Sequence, residues 1–459
     1  MIDRRNFISQ LGSGMGAVAL SSMGLNAASK SPLDVKPTHV KPRAKAVIQL
    51  FMCGGPSQVD TFDYKPMLEK FNGDRPKSVD VKTERPTGGL MKSPFDFKKY
   101  GKSGIYVSDI YKHTGEVIDD ICVINSMHTS IPNHAPALSM MNCGEIQPIR
   151  PSMGSWLTYG LGTENQNLPG YVVMCPGKPL VGSPLWNNAF LPGIYQGTYV
   201  STNKSIDPEK VIANLKNKRM SRTDQLKVLE KLRFLNDKHN AERTANPQLE
   251  ASIQSMELAY RMQTEASDAF NIHEESQATK EMYGASTFGE ACLAARRLVE
   301  RGVRVVQIYS GNGNHWDHHT NINSHKGNAL LTDKPAAALI KDLKQRGLLD
   351  ETLVIWGGEF GRTPTTELEN AIQGGGGRDH NHLGFSYWLA GGGVKGGMQY
   401  GATDEFGMRA VENKVHVHDL HATVLHLMGL DHEKLTYRYS GRDFRLTDVH
   451  GEVIKDILV

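Results

Sequence analysis

Apolar residues along the chain fall into short continuous runs set between polar, glycine-rich stretches, which is the pattern of strands buried on both faces. The run at 46–52 (Ala46, Val47, Ile48, Gln49, Leu50, Phe51, Met52) passes directly into Cys53-Gly54-Gly55-Pro56, a strand and its stop. Similar runs occupy 121–124, 171–174, 303–309, 352–356 and 386–390, the last followed by three glycines. Between them the spacing becomes helical. Helices are predicted over 135–141, 288–301, 335–346 and 418–428, the last closed by Gly429. Strands alternating with helices predict an α/β fold, a mainly parallel sheet sandwiched by helices. One stretch departs from this pattern. From about 207 to 280 the chain is charged and poor in glycine, and Leu226, Val228, Leu229, Leu232 and Leu235 keep helical spacing, so an insertion of two or three exposed helices is predicted. Residues 31–45, rich in proline and lysine, read as a linker before a domain spanning 46–459.

The first 30 residues carry a different signal. Arg4-Arg5 precedes Phe7 and Ile8, a weakly apolar stretch rich in Gly, Ala and Ser covers 11–25, and small residues stand at Ala27, Ala28 and Ser29. This is the pattern of a twin-arginine signal peptide, too short and glycine-rich for a membrane span. The expected location is therefore periplasmic or extracellular, with no transmembrane segment after signal removal. The twin-arginine route exports folded proteins, which allows a metal to be loaded before export. Five cysteines, Cys53, Cys122, Cys143, Cys175 and Cys292, show no CxxC or zinc-ribbon spacing. With 22% charged residues and a formal net charge of +3, the chain lacks the basic excess of a nucleic-acid binder, so no nucleic-acid partner is expected.

Ligand chemistry in parallel sheets gathers at the carboxyl ends of the strands, and four polar clusters fall at strand ends. Ser57, Asp60 and Asp63 follow the first. Asn314, His315, Asp317, His318 and His319 follow the 303–309 strand, and Glu359 and Arg362 follow the 352–356 strand. Arg378, Asp379, His380 and His382 precede the 386–390 strand. Carboxylates and imidazoles converging on one edge suit a divalent metal ion: zinc, calcium, manganese or magnesium.

The segment 347–361, Gly347-Leu348-Leu349-Asp350-Glu351-Thr352-Leu353-Val354-Ile355-Trp356-Gly357-Gly358-Glu359-Phe360-Gly361, resembles the sulfatase signature that ends in a metal-binding Asp-His or Asp-Asn pair. His418-Asp419-Leu420-His421-Ala422-Thr423-Val424-Leu425 is similar to a late helix of the same superfamily, and His382 before an apolar strand is similar to the last metal histidine of alkaline phosphatases. Together with Gly54-Gly55-Pro56-Ser57 and the twin-arginine leader, these motifs resemble exported sulfatase-like proteins of the alkaline phosphatase/sulfatase superfamily. The resemblance implies a metal-dependent hydrolase acting on an anionic sulfate or phosphate ester, with a sulfated polysaccharide as the candidate for an exported member. Carried over by residue, it implies one metal site from Asp317, His319 and His382, a second from Glu359 and Asp60, and an anion grip from Arg362. His380 and Asp379 would orient His382 from behind it.

The departures from the superfamily pattern matter as much. Cys53 and glycines stand where an Asp should follow the first strand, and Phe360 replaces a ligating residue. Ten residues before Gly144 the nucleophile slot holds His134, with Thr129 and Ser130 nearby. His134 fits a covalent nucleophile, a metal ligand or a site that has lost catalysis. The alternatives to hydrolysis are a non-catalytic exported binding or scaffold protein that keeps the fold, and a lyase or isomerase using the metal without a covalent step.

Overall fold

Nine strands make the central sheet of the structure, a computed structural model that describes residues 31–206, 220–242, 256–258, 260–262, 265–368 and 376–459. The expected signal peptide and much of the expected insertion lie outside the described residues. The strands are β1 (Ala46–Phe51), β2 (Ile121–His128), β3 (Tyr171–Cys175), β4 (Thr198–Ser201), β5 (Val305–Tyr309), β6 (Thr352–Gly357), β7 (Phe385–Ala390), β8 (Met398–Tyr400) and β9 (Val415–His416). Their order is β8-β2-β7-β6-β1-β5-β3-β4, with β9 also paired to β2. In the centre, Leu50 of β1 lies opposite Ile308 of β5 and Trp356 of β6. Every residue of β1, β3, β5, β6 and β7 is buried, the reason their sequences are continuous apolar runs rather than alternating ones.

All neighbours run parallel except β7, which is antiparallel to both β2 and β6. That reversal positions the site. The segment entering β7 arrives at the edge where β1, β2, β5 and β6 leave the sheet, so residues before one strand meet residues after four others. Trp388 of β7 and Trp356 of β6 are register partners, and their rings stack at 6.0 Å and 2°. Such a pair contributes about 0.5–1.5 kcal/mol beyond its burial and fastens the reversed strand in place.

Helices α1 (His134–Cys143), α2 (Met153–Leu161), α3 (Arg222–Glu242), α4 (Thr287–Glu300), α5 (His325–Gln345) and α6 (Val417–Leu427) flank the sheet or extend from it. Three details differ from expectation. Helix α5 starts ten residues before Pro335, where proline suggested a first turn. The proline removes one helical hydrogen bond, and the Ser286 hydroxyl donates instead to the Leu331 carbonyl that it frees, at 3.1 Å. Residues 31–45, expected as a linker, are docked: Leu33 is buried, and the backbone N–H groups of Lys36, His39 and Arg43 donate to the carbonyls of Leu161, Gly429 and Leu427. Of the expected insertion, α3 exposes Leu226, Val228, Leu232 and Leu235, whereas Phe270 and Ile272 pack into the main core. No helix among the described residues is long and apolar enough to cross a membrane, and all five cysteines are buried and unpaired.

Candidate metal centre

Four side chains meet at the edge fixed by the sheet. His134 opens α1 behind β2, Asp317 and His319 stand in the loop after β5, and His380 precedes β7; one donor atom from each lies within 4.8 Å of the others. Asp317 and His319 stand two residues apart in this loop and their side chains meet, His319 Nε2 lying 2.8 Å from Asp317 Oδ1. His318 between them turns away, its Nδ1 lying 2.7 Å from Nδ1 of the buried His325.

The imidazoles are oriented by three glutamates. Nδ1 of His134 lies 2.6 Å from Glu359, Nδ1 of His380 lies 2.5 Å from Glu84, and Nδ1 of His319 contacts Glu367. A carboxylate at Nδ1 holds the proton there and leaves Nε2 with a lone pair, so all three lone pairs point inward at Asp317. Nε2 of His319 is 3.1 Å from Nε2 of His380 and 2.8 Å from Asp317 Oδ1. The Nε2 atoms of His380 and His134 each lie 3.2 Å from an Asp317 oxygen. Among the described residues, the buried His134 Nε2 has no hydrogen-bond partner. Converging acceptors with no proton between them repel one another, and a cation at their centre removes the conflict. Tetrahedral bonds of about 2.0–2.1 Å put ligand atoms roughly 3.3 Å apart, close to these spacings. The donor set therefore fits a metal ion.

Neighbouring groups stiffen the arrangement. The Phe360 ring, which cannot ligate, packs against both His134 and His380 with centroids 4.8 and 4.7 Å away. Gly54 has φ +106°, and a Cβ there would stand 2.6 Å from the backbone nitrogens of Trp316 and Asp317. A side chain at this position would push the Asp317 loop out of place. The backbone N–H of Gly54 donates to both Glu359 oxygens, at 2.9 and 3.1 Å. Burial alone would raise the Asp317 pKa, but its close contacts with His134, His319 and His380 and the charge of Arg362 hold it far below the carboxylate range. Burial lowers His380 to about 3 despite its bond to Asp317. For His134 the bonds to Asp317 and Glu359 outweigh burial and raise its pKa.

Other residues singled out in the sequence lie elsewhere. His382 does not reach the cluster. The Asn381 side chain turns the chain, its oxygen accepting from Leu383 N and its amide donating to the carbonyls of Gly384, Gly407 and Met408. His382 ends up near His128 and Arg409, and His380 occupies the place expected for it. Glu359 stands behind His134 rather than in the four-residue donor group. Asp60 is spent on Arg378 in a two-pronged pair at 2.7 and 3.1 Å, both side chains fully buried, and on the Ser57 hydroxyl. Arg362 is also buried, and each of its three nitrogens is engaged: Nε by Gly55 O, Nη1 by Arg378 O, and Nη2 by Gly54 O and Asp317 at 2.6 Å. Its fork holds the site together and is not open to a substrate. A two-residue ladder, Arg362 opposite His380, ties it to the metal-facing strand.

The sequence alone did not single out Glu84, Arg85 or Glu367. Glu367 is brought in by pairing of Thr365–Glu367 with Thr87–Leu90, where Thr87 lies opposite Glu367. His319, Glu367 and Asp379 form a second close group. Arg85 meets both carboxylates there, Nη1 at 3.2 Å from Glu367 and backbone N at 2.7 Å from Asp379. Burial raises the Asp379 pKa further. The Arg85 guanidinium offsets part of the charge of Glu367, the carboxylate that holds His319.

The model of a family described as "Protein of unknown function (DUF1501)" matches residues 44–458. No curated protein matches the sequence. Among solved structures, the chain is similar to the PsFucS1 sulfatase from Pseudoalteromonas sp., at 12% identity over 85% of this chain and 69% of that one, with a TM-score of 0.36. It is similar to the lipoteichoic acid synthase LtaP from Listeria monocytogenes, at 10% identity over 90% and 78%, TM-score 0.35. The alkaline phosphatase from the Antarctic bacterium TAB5 is similar at 12% identity over 78% and 95%, TM-score 0.30.

Proposed function

The chain belongs to the DUF1501 family, and we propose that it is a metal-dependent hydrolase of sulfate or phosphate esters, exported by the twin-arginine route. One observation carries the reading: three histidines, each fixed at Nδ1 by a glutamate, turn bare Nε2 atoms onto one aspartate. Glutamate-backed imidazoles are how proteins raise ligand basicity and fix ligand geometry. Three nitrogens and one carboxylate favour a borderline transition metal, zinc first, over calcium or magnesium, which take oxygen ligands. The sequence motifs shared with the alkaline phosphatase/sulfatase superfamily support ester hydrolysis, and Arg4-Arg5 with its small-residue stretch supports export.

Bound there, the cation would supply Lewis acidity toward an ester oxygen and acidify water. The chain does the rest. His134 is a ligand in this account and not a covalent nucleophile, because both of its nitrogens are committed, one to Glu359 and one to the cluster. Asp317 is the part-exposed member, at 23%, so substrate approaches from its side. Arg362 holds its carboxylate in register. Glu359, Glu367 and Glu84 keep the protons on the outer nitrogens.

A second reading has its own observation. Four protein donors around one point is the arrangement of closed structural metal sites, whereas catalytic zinc sites keep one position open. On that reading the chain is an exported binding or scaffold protein. Metal analysis of the purified chain followed by aryl sulfate and aryl phosphate assays separates the two. Stoichiometric zinc with turnover supports the hydrolase, zinc without turnover supports the binding protein, and no metal overturns both.

A further inference from the structure

A hydrolase of anionic esters needs a cation to meet the ester's oxygens, and Arg362, the residue the sequence offers, has no nitrogen left over. Arg85 does. Its side chain is 35% exposed, against 0% for Arg362, and among the described residues only Nη1 of its guanidinium has a partner, Glu367 Oε1 at 3.2 Å. The other oxygen of that carboxylate holds Nδ1 of His319, so Arg85 and a metal-facing histidine flank a single carboxylate group. The backbone of Arg85 is fastened through its N–H to Asp379, and the preceding residue, Glu84, holds His380. The segment 84–85 is thus fixed to two of the three histidines. Burial works against the Arg85 charge, but Glu367, and then Asp317 and Asp379, outweigh it, which puts the guanidinium in the field of the Asp317 carboxylate.

Building on the hydrolase reading, we propose that Arg85 grips the tetrahedral oxyanion of the substrate, its Nε and Nη2 facing the ester while Glu367 aligns the plane from behind. A planar fork matches two oxygens of a phosphate or sulfate group, and held by one carboxylate it loses little freedom on binding. The assignment places the recognised chemistry in the monoester oxyanion itself, whichever alcohol it is attached to.

The test uses the zinc-loaded full chain with inorganic phosphate and inorganic sulfate as probes, read by calorimetry, with zinc content and melting temperature followed in parallel. Arg85→Ala should weaken oxyanion binding tenfold or more at unchanged zinc content. Arg85→Lys, which keeps the charge but not the fork, should fall in between, and added guanidinium should restore binding to Arg85→Ala. Equal affinity in Arg85→Ala and wild type overturns the proposal, as does wild-type protein that binds neither anion. Loss of zinc together with the anion in Arg85→Ala also overturns it, because Arg85 would then only be neutralising Glu367. The two claims fail separately. Oxyanion binding through Arg85 without ester turnover sinks the hydrolase reading alone. Turnover with an unchanged KM in Arg85→Ala sinks this one alone.

Discussion

Replacing Glu359 with glutamine tests whether the buried glutamates set the metal affinity. Glu359 is 1% exposed and makes three contacts: its two oxygens accept from Gly54 N at 2.9 and 3.1 Å, and Oε1 lies 2.6 Å from His134 Nδ1. Glutamine keeps the volume but offers one acceptor instead of two. With its oxygen in the place of Oε1 it still accepts from His134 and Gly54 but sets its amide 3.1 Å from Gly54 N; with the two groups exchanged, the amide points a donor at His134. If the amide faces His134, the imidazole must shift its proton from Nδ1 to Nε2, the atom that faces Asp317 across 3.2 Å, and a protonated Nε2 cannot ligate. If the amide faces Gly54, two donors oppose each other in a buried place and the loop carrying Trp316 and Asp317 is disturbed. Loss of such a supporting carboxylate weakens metal binding by about 10–100-fold, or about 1.4–2.7 kcal/mol. Competition against a chromogenic zinc chelator at pH 7.5 measures this directly. With zinc in large excess over both affinities, the difference between loaded and metal-free stability should shrink by the same amount. An affinity within twofold of wild type would refute the reasoning, because His134 would then not depend on Glu359 for its tautomer.

Other consequences follow from the same contacts. His380→Ala should abolish stoichiometric zinc binding and His382→Ala should leave it intact, as read by metal analysis after dialysis; the reverse result would restore the ligand set suggested by the sequence. Asp60→Ala leaves Arg378 buried without its carboxylate and should cost about 3–5 kcal/mol in urea unfolding, with the zinc content of the folded protein unchanged. His421 is fully buried, with Nε2 against Met141 O, and burial and then His418 lower its pKa to about 3. The unfolded chain takes up a proton near the ordinary value while the folded one does not, so stability present above about pH 6.5 is lost as pH falls toward 3, about 2 kcal/mol of it by pH 5. His421→Leu should unfold with less pH dependence between 7 and 5 than wild type, and an identical slope in both would contradict the assignment.

Much of the fold was legible in the sequence because its strands are buried on both faces. Burial of that kind leaves continuous apolar runs with glycine at their ends, and β1, β3, β5, β6 and β7 all show it. The direction of β7 was not legible. A strand's composition does not record whether its neighbours run with it or against it, yet the reversal is what carries His380 to the carboxyl edge. Asp317 and His319 were readable as a pair because they stand two residues apart in one loop. The choice of His380 over His382 was not, because it depends on where the Asn381 side chain finds its acceptors, at Gly384, Gly407 and Met408. Asp60 looked like a ligand because its partner, Arg378, lies 318 residues away. Glu84 and Glu367 stand in stretches without apolar periodicity, and the short ladder that sets Thr87 opposite Glu367 joins distant segments, so nothing near either residue in sequence marked it.

The claim on which the whole account rests is that His134, His319, His380 and Asp317 bind one metal ion together. X-ray absorption at the zinc edge of the loaded protein measures this most directly. The account predicts a first shell of nitrogen and oxygen at about 2.0–2.1 Å containing three imidazoles, with zinc binding lost in His380→Ala. A shell made only of oxygen, a sulfur scatterer from one of the buried cysteines, or an unchanged spectrum in His380→Ala would contradict it.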